Sequence, residues 1–86
     1  MPQPPYDWDP AKADANERKH GVRFEAVHGF DWAGAIEAED ERFDYGERRM
    51  QALGTIDGRP HVLVYTMRGG TIRVISLRKA NERELQ

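Results

Sequence analysis

His61-Val-Leu-Val-Tyr65-Thr-Met-Arg68-Gly69-Gly70-Thr71-Ile-Arg73-Val-Ile-Ser-Leu-Arg78-Lys79 is the most apolar passage of the chain. It consists of two runs rich in Val, Ile, Leu, Tyr and Thr around Gly69-Gly70, a pattern that predicts an antiparallel hairpin closed by a tight primed turn. With the two glycines as the loop, Arg68 faces Thr71, Tyr65 faces Val74 and His61 faces Arg78. The two-residue side-chain period then divides the hairpin. One face takes His61, Leu63, Tyr65, Met67, Ile72, Val74, Ser76 and Arg78; the other takes Val62, Val64, Thr66, Arg68, Thr71, Arg73, Ile75 and Leu77. Each face is apolar for part of its length, so helices cover one side while the other stays partly open as a working surface. Spacing alone does not say which side is which, and a loop of different length would change the pairing.

Outward from the hairpin, Glu47 to Ile56 fits a strand, and Asp57-Gly58 is a hairpin turn signal. The prediction is a three-stranded meander at 48–56, 60–67 and 71–78. Asn81 begins the first turn of a last helix as its cap. At the other end, Tyr6-Asp7-Trp8 fits a short edge strand. Asp9-Pro10 starts a helix that runs to about His20, with Gly21 placed to end it in the left-handed conformation. Its buried stripe is weak, Ala11 and Ala15 followed by Val22, with Lys12, Asn16, Arg18 and Lys19 pointing elsewhere. Phe24 to Phe30 predicts a second short helix with Phe24 and Val27 inward. Arg23 stands where a hydroxyl cap is expected, so that helix start must find other partners. Residues 31–35 read as a loop, Ile36 as the start of a short extended piece, and Glu37 to Glu41 as a solvated loop rather than a metal site. The class is therefore α+β: a short N-terminal strand, two helices, a three-stranded antiparallel meander and a C-terminal helical turn. Residues 1–86 make one domain, with 1–5 a flexible tail.

A chain of 86 residues is near the size at which one core suffices with little margin. It has no cysteine, which removes disulfide and thiolate chemistry. No apolar run reaches the length of a membrane span, and Met-Pro-Gln-Pro-Pro has neither the basic start nor the apolar core of a secretion signal, so a cytoplasmic protein is expected. The formal charge of -2 hides an asymmetry: residues 1–41 hold four Lys/Arg against ten Asp/Glu, and residues 42–86 hold nine against five. A basic half of this kind either holds phosphate or merely solvates a small protein.

Several strings resemble the BrnT-type toxins of bacterial type II toxin–antitoxin pairs, within the RelE/ParE-like ribonuclease superfamily. They are Trp8-Asp9-Pro10-Ala11-Lys12 with Asn16, Arg18-Lys19-His20-Gly21-Val22, Phe24-Glu25-Ala26, Gly46-Glu47-Arg48-Arg49, Ala52-Leu53-Gly54, Val64-Tyr65-Thr66, and Arg73 through Ala80. Arg23 departs from the small hydroxyl residue usual before Phe-Glu, and the last turn lacks the aromatic that members often place there. The resemblance implies a RelE-like domain that cleaves RNA without a cofactor and so inhibits translation. It also implies a BrnA-like antitoxin carrying a ribbon-helix-helix domain, assembly with it into a heterotetramer, and contact with operator DNA only through that partner.

Metal-free RNA cleavage needs a base for the 2′-hydroxyl, cations for the phosphate and an acid for the leaving oxygen. Arginine suits the phosphate because its fork donates two hydrogen bonds and stays charged. The predicted pairing groups Arg78 and Lys79 as phosphate clamps with His61 as proton carrier and Tyr65 as hydrogen-bond donor or stacking platform. The competing reading makes His61 an exposed strand start and Tyr65 a core residue. On the other face, Arg68 and Arg73 with Thr66 bind RNA, hold an acidic antitoxin segment, or guard a strand end. Glu47, beside Arg48 and Arg49, serves as base or as an ion-pair partner, the two arginines as RNA contacts. His20, at a helix end, reads as structural. His20, His28 and His61 have no metal-ligand spacing. The functional alternatives are a nuclease, a non-catalytic binding module, and a degenerate toxin kept in a repressor complex.

Overall fold

The computed structural model describes residues 5–42 and 46–85. Residues 1–4 of the expected tail lie outside them, while the Pro5 carbonyl accepts a 2.9 Å hydrogen bond from the Ile72 amide. The order is β1 (Tyr6–Asp7), α1 (Pro10–His20), a 3-10 helix (Phe24–Gly29), β2 (Ile36–Glu39), β3 (Met50–Ile56), β4 (Arg59–Arg68), β5 (Thr71–Lys79) and a 3-10 turn (Glu82–Leu85). The class is α+β. The predicted meander is present as β3–β4–β5, but it is the middle of a five-stranded mixed sheet ordered β1-β5-β4-β3-β2. Both turns have the backbone that primed loops demand, with φ of 51° at Asp57, 76° at Gly58 and 58° at Gly69.

Two further strands flank the meander, the expected short N-terminal strand and one in the stretch read as a loop. β1 pairs parallel to β5, Tyr6 against Ile72 and Asp7 against Arg73. β2 takes up most of the acidic stretch read as a loop, with Glu37 opposite Ala52 and Glu39 opposite Met50. Its carboxylates stay exposed at the sheet edge, which is how an acidic segment can be a strand at little desolvation cost. Phe30 bridges Ile56 farther along the same edge. Gly54 permits this, since a Cβ there would lie 2.7 Å from the Phe30 ring.

Helix α1 begins as read: the Ala11 amide donates to Asp9 Oδ1 at 2.9 Å, Pro10 occupies the first turn, and Gly21 closes it at φ 72°. Its contact face differs. Ala11 and Ala15 are exposed and Asn16 is buried. The Asn16 carboxamide donates to the carbonyls of Val22 (3.0 Å) and Leu77 (2.7 Å) and accepts from the Leu77 amide (3.3 Å). β1 stops at Asp7 opposite Arg73, so beyond that point the side chain stands in for a strand on the edge of β5. The second helix is 3-10 rather than α. Arg23 gives it no side-chain cap, and six residues bounded by Gly29 leave too few i to i+4 bonds to repay the unfilled amides.

Phe24, Val27 and Phe30 pack with Leu63, Ile72, Val74 and Leu77 into the core on one side of the sheet, here the helix face. The register of β4 with β5 corrects the predicted division of the hairpin. From the turn inward the pairing is as expected, with Arg68 opposite Thr71, Thr66 opposite Arg73 and Tyr65 opposite Val74. Then a bulge inserts Ile75, and the partners become Val64–Ser76, Leu63–Leu77, Val62–Arg78 and His61–Lys79. One extra residue exchanges the faces of everything after it. Leu77 enters the core, Lys79 joins His61, and Ser76 and Arg78 pass to the far face.

Candidate functional site

The bulge determines which cations meet. On the far face, strand alternation aligns Val62, Val64, Thr66 and Arg68 of β4 beside Arg78, Ser76, Arg73 and Thr71 of β5. Three arginines that the uniform register splits between two faces now share one. Among the described elements, α1 and the first 3-10 helix pack with the core of the opposite side, and the C-terminal 3-10 turn meets the Arg78 end of the row through Glu84.

Each guanidinium of the row has a carboxylate. Arg78 Nη1 and Nη2 donate to Glu84 Oε1 and Oε2, both at 2.7 Å, a fork-to-fork pair. That contact drives the Glu84 carboxyl down to about 2 from an ordinary 4.5, helped by the Asn81 amide and opposed by burial. Arg73 Nη1 lies 3.4 Å from Asp7 Oδ2, placed by the parallel pairing of β1. Arg68 Nη2 donates to Glu47 Oε1 at 3.2 Å, and Arg49 Nε is 3.6 Å from Glu47 Oε2, so one carboxylate sits between two arginines. The Thr66 hydroxyl donates to the Arg48 carbonyl at 2.7 Å and ties the segment bearing Glu47 and Arg49 to β4. Arg48 itself pairs with Glu39. Arg42 forks onto the buried Asp40 at 2.9 Å through both nitrogens and is close enough to act electrostatically on Arg78. His20, at the end of α1, also borders Arg78. Burial first, then Lys19 and Arg78, push its imidazole below the ordinary value.

Three predicted members fall elsewhere. Tyr65 is a core residue, 7% exposed, packed edge-on against Trp32 at 5.4 Å, and its hydroxyl donates to Glu37. Burial and that bond raise the phenol above its usual range, so it stays protonated. His61 and Lys79 are cross-strand partners on the helix face, not neighbours of Arg78. With Arg59 they line an open cleft of about 810 Å³ between the strand ends and the segment from Gly21 to Ala26. The predicted cluster of Arg78, Lys79, His61 and Tyr65 is thus dispersed: the bulge sends Arg78 to the far face, while Tyr65 keeps its face and is taken up by the core.

Sequence reasoning missed Glu84, Asp7, Arg42 and Arg59. Arg59 was open to detection, since it precedes His61 by two in the same strand and shares its face. Nothing local marks Glu84 or Asp7, whose partners lie across the fold. Among the described residues no three His, Asp or Glu side chains gather as a metal-binding group, and no helix is long and apolar enough to cross a membrane.

No curated protein matches this sequence. Residues 8–84 match the family model described as ribonuclease toxin, BrnT, of type II toxin-antitoxin system. That stretch reaches from the Trp8 indole over the core to the Glu84 carboxylate on Arg78, so the chain belongs to the BrnT family of type II toxin–antitoxin ribonuclease toxins.

Proposed function

We propose that this toxin is an endoribonuclease whose RNA surface is the far face of the sheet, with Arg68, Arg73 and Arg78 binding the scissile phosphodiester and its neighbours. The observation that carries the reading is the bulge-enforced placement of the three arginines on one face of the sheet, opposite the core. Fixed cations aimed at a phosphate stabilise the charge that develops on its oxygens during transfer. Arg73 and Arg78 lie on the strand and are only 27% and 28% exposed, so their forks are held in place rather than waving in solvent. Glu47 sits between Arg49 and Arg68 and is the candidate base for the 2′-hydroxyl. Arg48 and Arg49 extend the contact to flanking phosphates. Substrate displaces Asp7 and Glu84 from Arg73 and Arg78, exchanging carboxylate for phosphate on the same forks. The chemistry proposed uses no metal, and the damage is to translation in the cytoplasm.

The same carboxylate partners favour a companion role for the surface. A BrnA-like antitoxin with a ribbon-helix-helix domain would neutralise the toxin by laying an acidic segment over these arginines, in a heterotetramer that reaches operator DNA through the antitoxin. If catalysis were absent, the surface would remain a binding module within that repressor complex. Purified Arg73→Ala and Arg78→Ala proteins are expected to keep the wild-type circular dichroism spectrum and lose RNA cleavage by about 100-fold or more, as for removal of a transition-state donor. Wild-type protein that leaves RNA intact with and without ribosomes would overturn the nuclease reading.

A further inference from the structure

The cleft on the helix face lies apart from the arginine row, and its polar residues have no part in the chemistry of that row. His61 is 6% exposed, yet it lines the cleft. Its Nδ1 is 2.8 Å from the Arg59 carbonyl, an acceptor only, so Nδ1 carries the proton and donates. Among the described residues Nε2 has no partner. A nine-tenths buried imidazole with one nitrogen tied back is a fixed polar group on the wall of the cleft.

Charge around it points to an anion. Lys79 stands directly across the strands from His61, and Arg59 is two residues before it on the same face. Both are exposed cleft-lining cations, and among the described residues neither has a carboxylate partner. Two carboxylates also line the space. Glu25 is already taken by Arg23 at 3.1 Å, and Asp57 belongs to the β3–β4 turn with φ 51°. We infer that this cleft is a second phosphate-binding site, in which Lys79 and Arg59 supply the charge and the buried His61 imidazole forms a polar wall between them. The ribonuclease reading bears only on the source of the phosphate, an RNA strand as against a free oxyanion. The site itself stands on the geometry of His61, Lys79 and Arg59.

The test is an NMR titration of the full chain, following the His61 ring and the Lys79 side chain, first with inorganic phosphate and then with a short single-stranded RNA. Phosphate is expected to move both signals, with an apparent affinity at least about tenfold weaker in the Arg59→Gln/Lys79→Gln double variant, the loss of two charge-assisted bonds. His61→Gln, which keeps an amide donor, should retain part of the binding. If RNA moves the same signals and competes with phosphate, the source is an RNA backbone; if phosphate alone acts, it is a free oxyanion. Signals that stay still with both ligands, or shifts that persist in the double variant, overturn the proposal. Arg73→Ala and Arg78→Ala should leave the cleft titration unchanged, so a protein that cleaves RNA with a silent cleft refutes this site alone.

Discussion

Glu84→Gln separates what the carboxylate does for the fold from what it withholds from RNA. The change removes one charge from the fork on Arg78 and keeps the shape. Lowering the carboxyl from 4.5 to about 2 is worth at most about 3.5 kcal/mol, at about 1.4 kcal/mol per unit. Both groups remain about a quarter exposed, 28% and 26%, so solvent screening reduces this to about 1 to 2 kcal/mol. For a domain of this size that is a fall in Tm of about 4 to 16 °C. The sign comes from linkage. The folded value lies below the unfolded one, so the unfolded chain binds more protons between them. The contribution is complete above pH 4.5 and vanishes as pH falls toward 2. Thermal unfolding across pH 2 to 7 should therefore show the two proteins converging at the acid end. In parallel, Glu84→Gln should bind RNA more tightly, with a salt dependence steeper by about one phosphate contact. A stability gap that is constant with pH, or RNA binding that ignores both Glu84→Gln and Arg78→Ala, would refute the reasoning.

Asn16→Ala strips partners from the Leu77 amide and from the carbonyls of Leu77 and Val22, and should cost about 2 to 4 kcal/mol by urea denaturation. Asn16→Asp should not rescue it, because two of those three partners need a donor. Tyr65→Phe removes the hydroxyl that meets Glu37, with an expected loss of about 1 kcal/mol and no change in RNA cleavage; a large loss of cleavage would return Tyr65 to the active surface.

Local chemistry announced much of this fold. Asp9, Pro10 and Gly21 bounded α1, Gly69-Gly70 and Asp57-Gly58 marked the turns, and Asn81 capped the last turn through its Oδ1 on the Glu84 amide at 2.9 Å. These signals act within a few residues, where sequence is a good guide. The features that escaped were settled at a distance. Asn16 reads as a surface polar residue because its helix is polar all round, and only the unfilled edge of β5, 61 positions away, gives it a buried role. The site was legible as residue types and illegible as a place. Arg68, Arg73 and Arg78 were named, but the face they share depends on the Ile75 bulge, and no residue type in Val74-Ile75-Ser76 demands one. His61 and Lys79 do stand opposite each other, but the register that grouped them in the sequence placed Arg78 beside them as well.

The bulge also means that the chemistry of this protein is encoded partly in a count. A scan of point substitutions would score Ile75 as an ordinary aliphatic position, because the orientation of the strand beyond it depends on its presence and hardly on its identity. Deleting it would turn Leu77 outward, return Arg78 to the side of His61 and empty the far face of one of its three guanidinium groups. Among natural variants of this strand, gain or loss of a single codon should therefore be far rarer than exchange of one side chain for another.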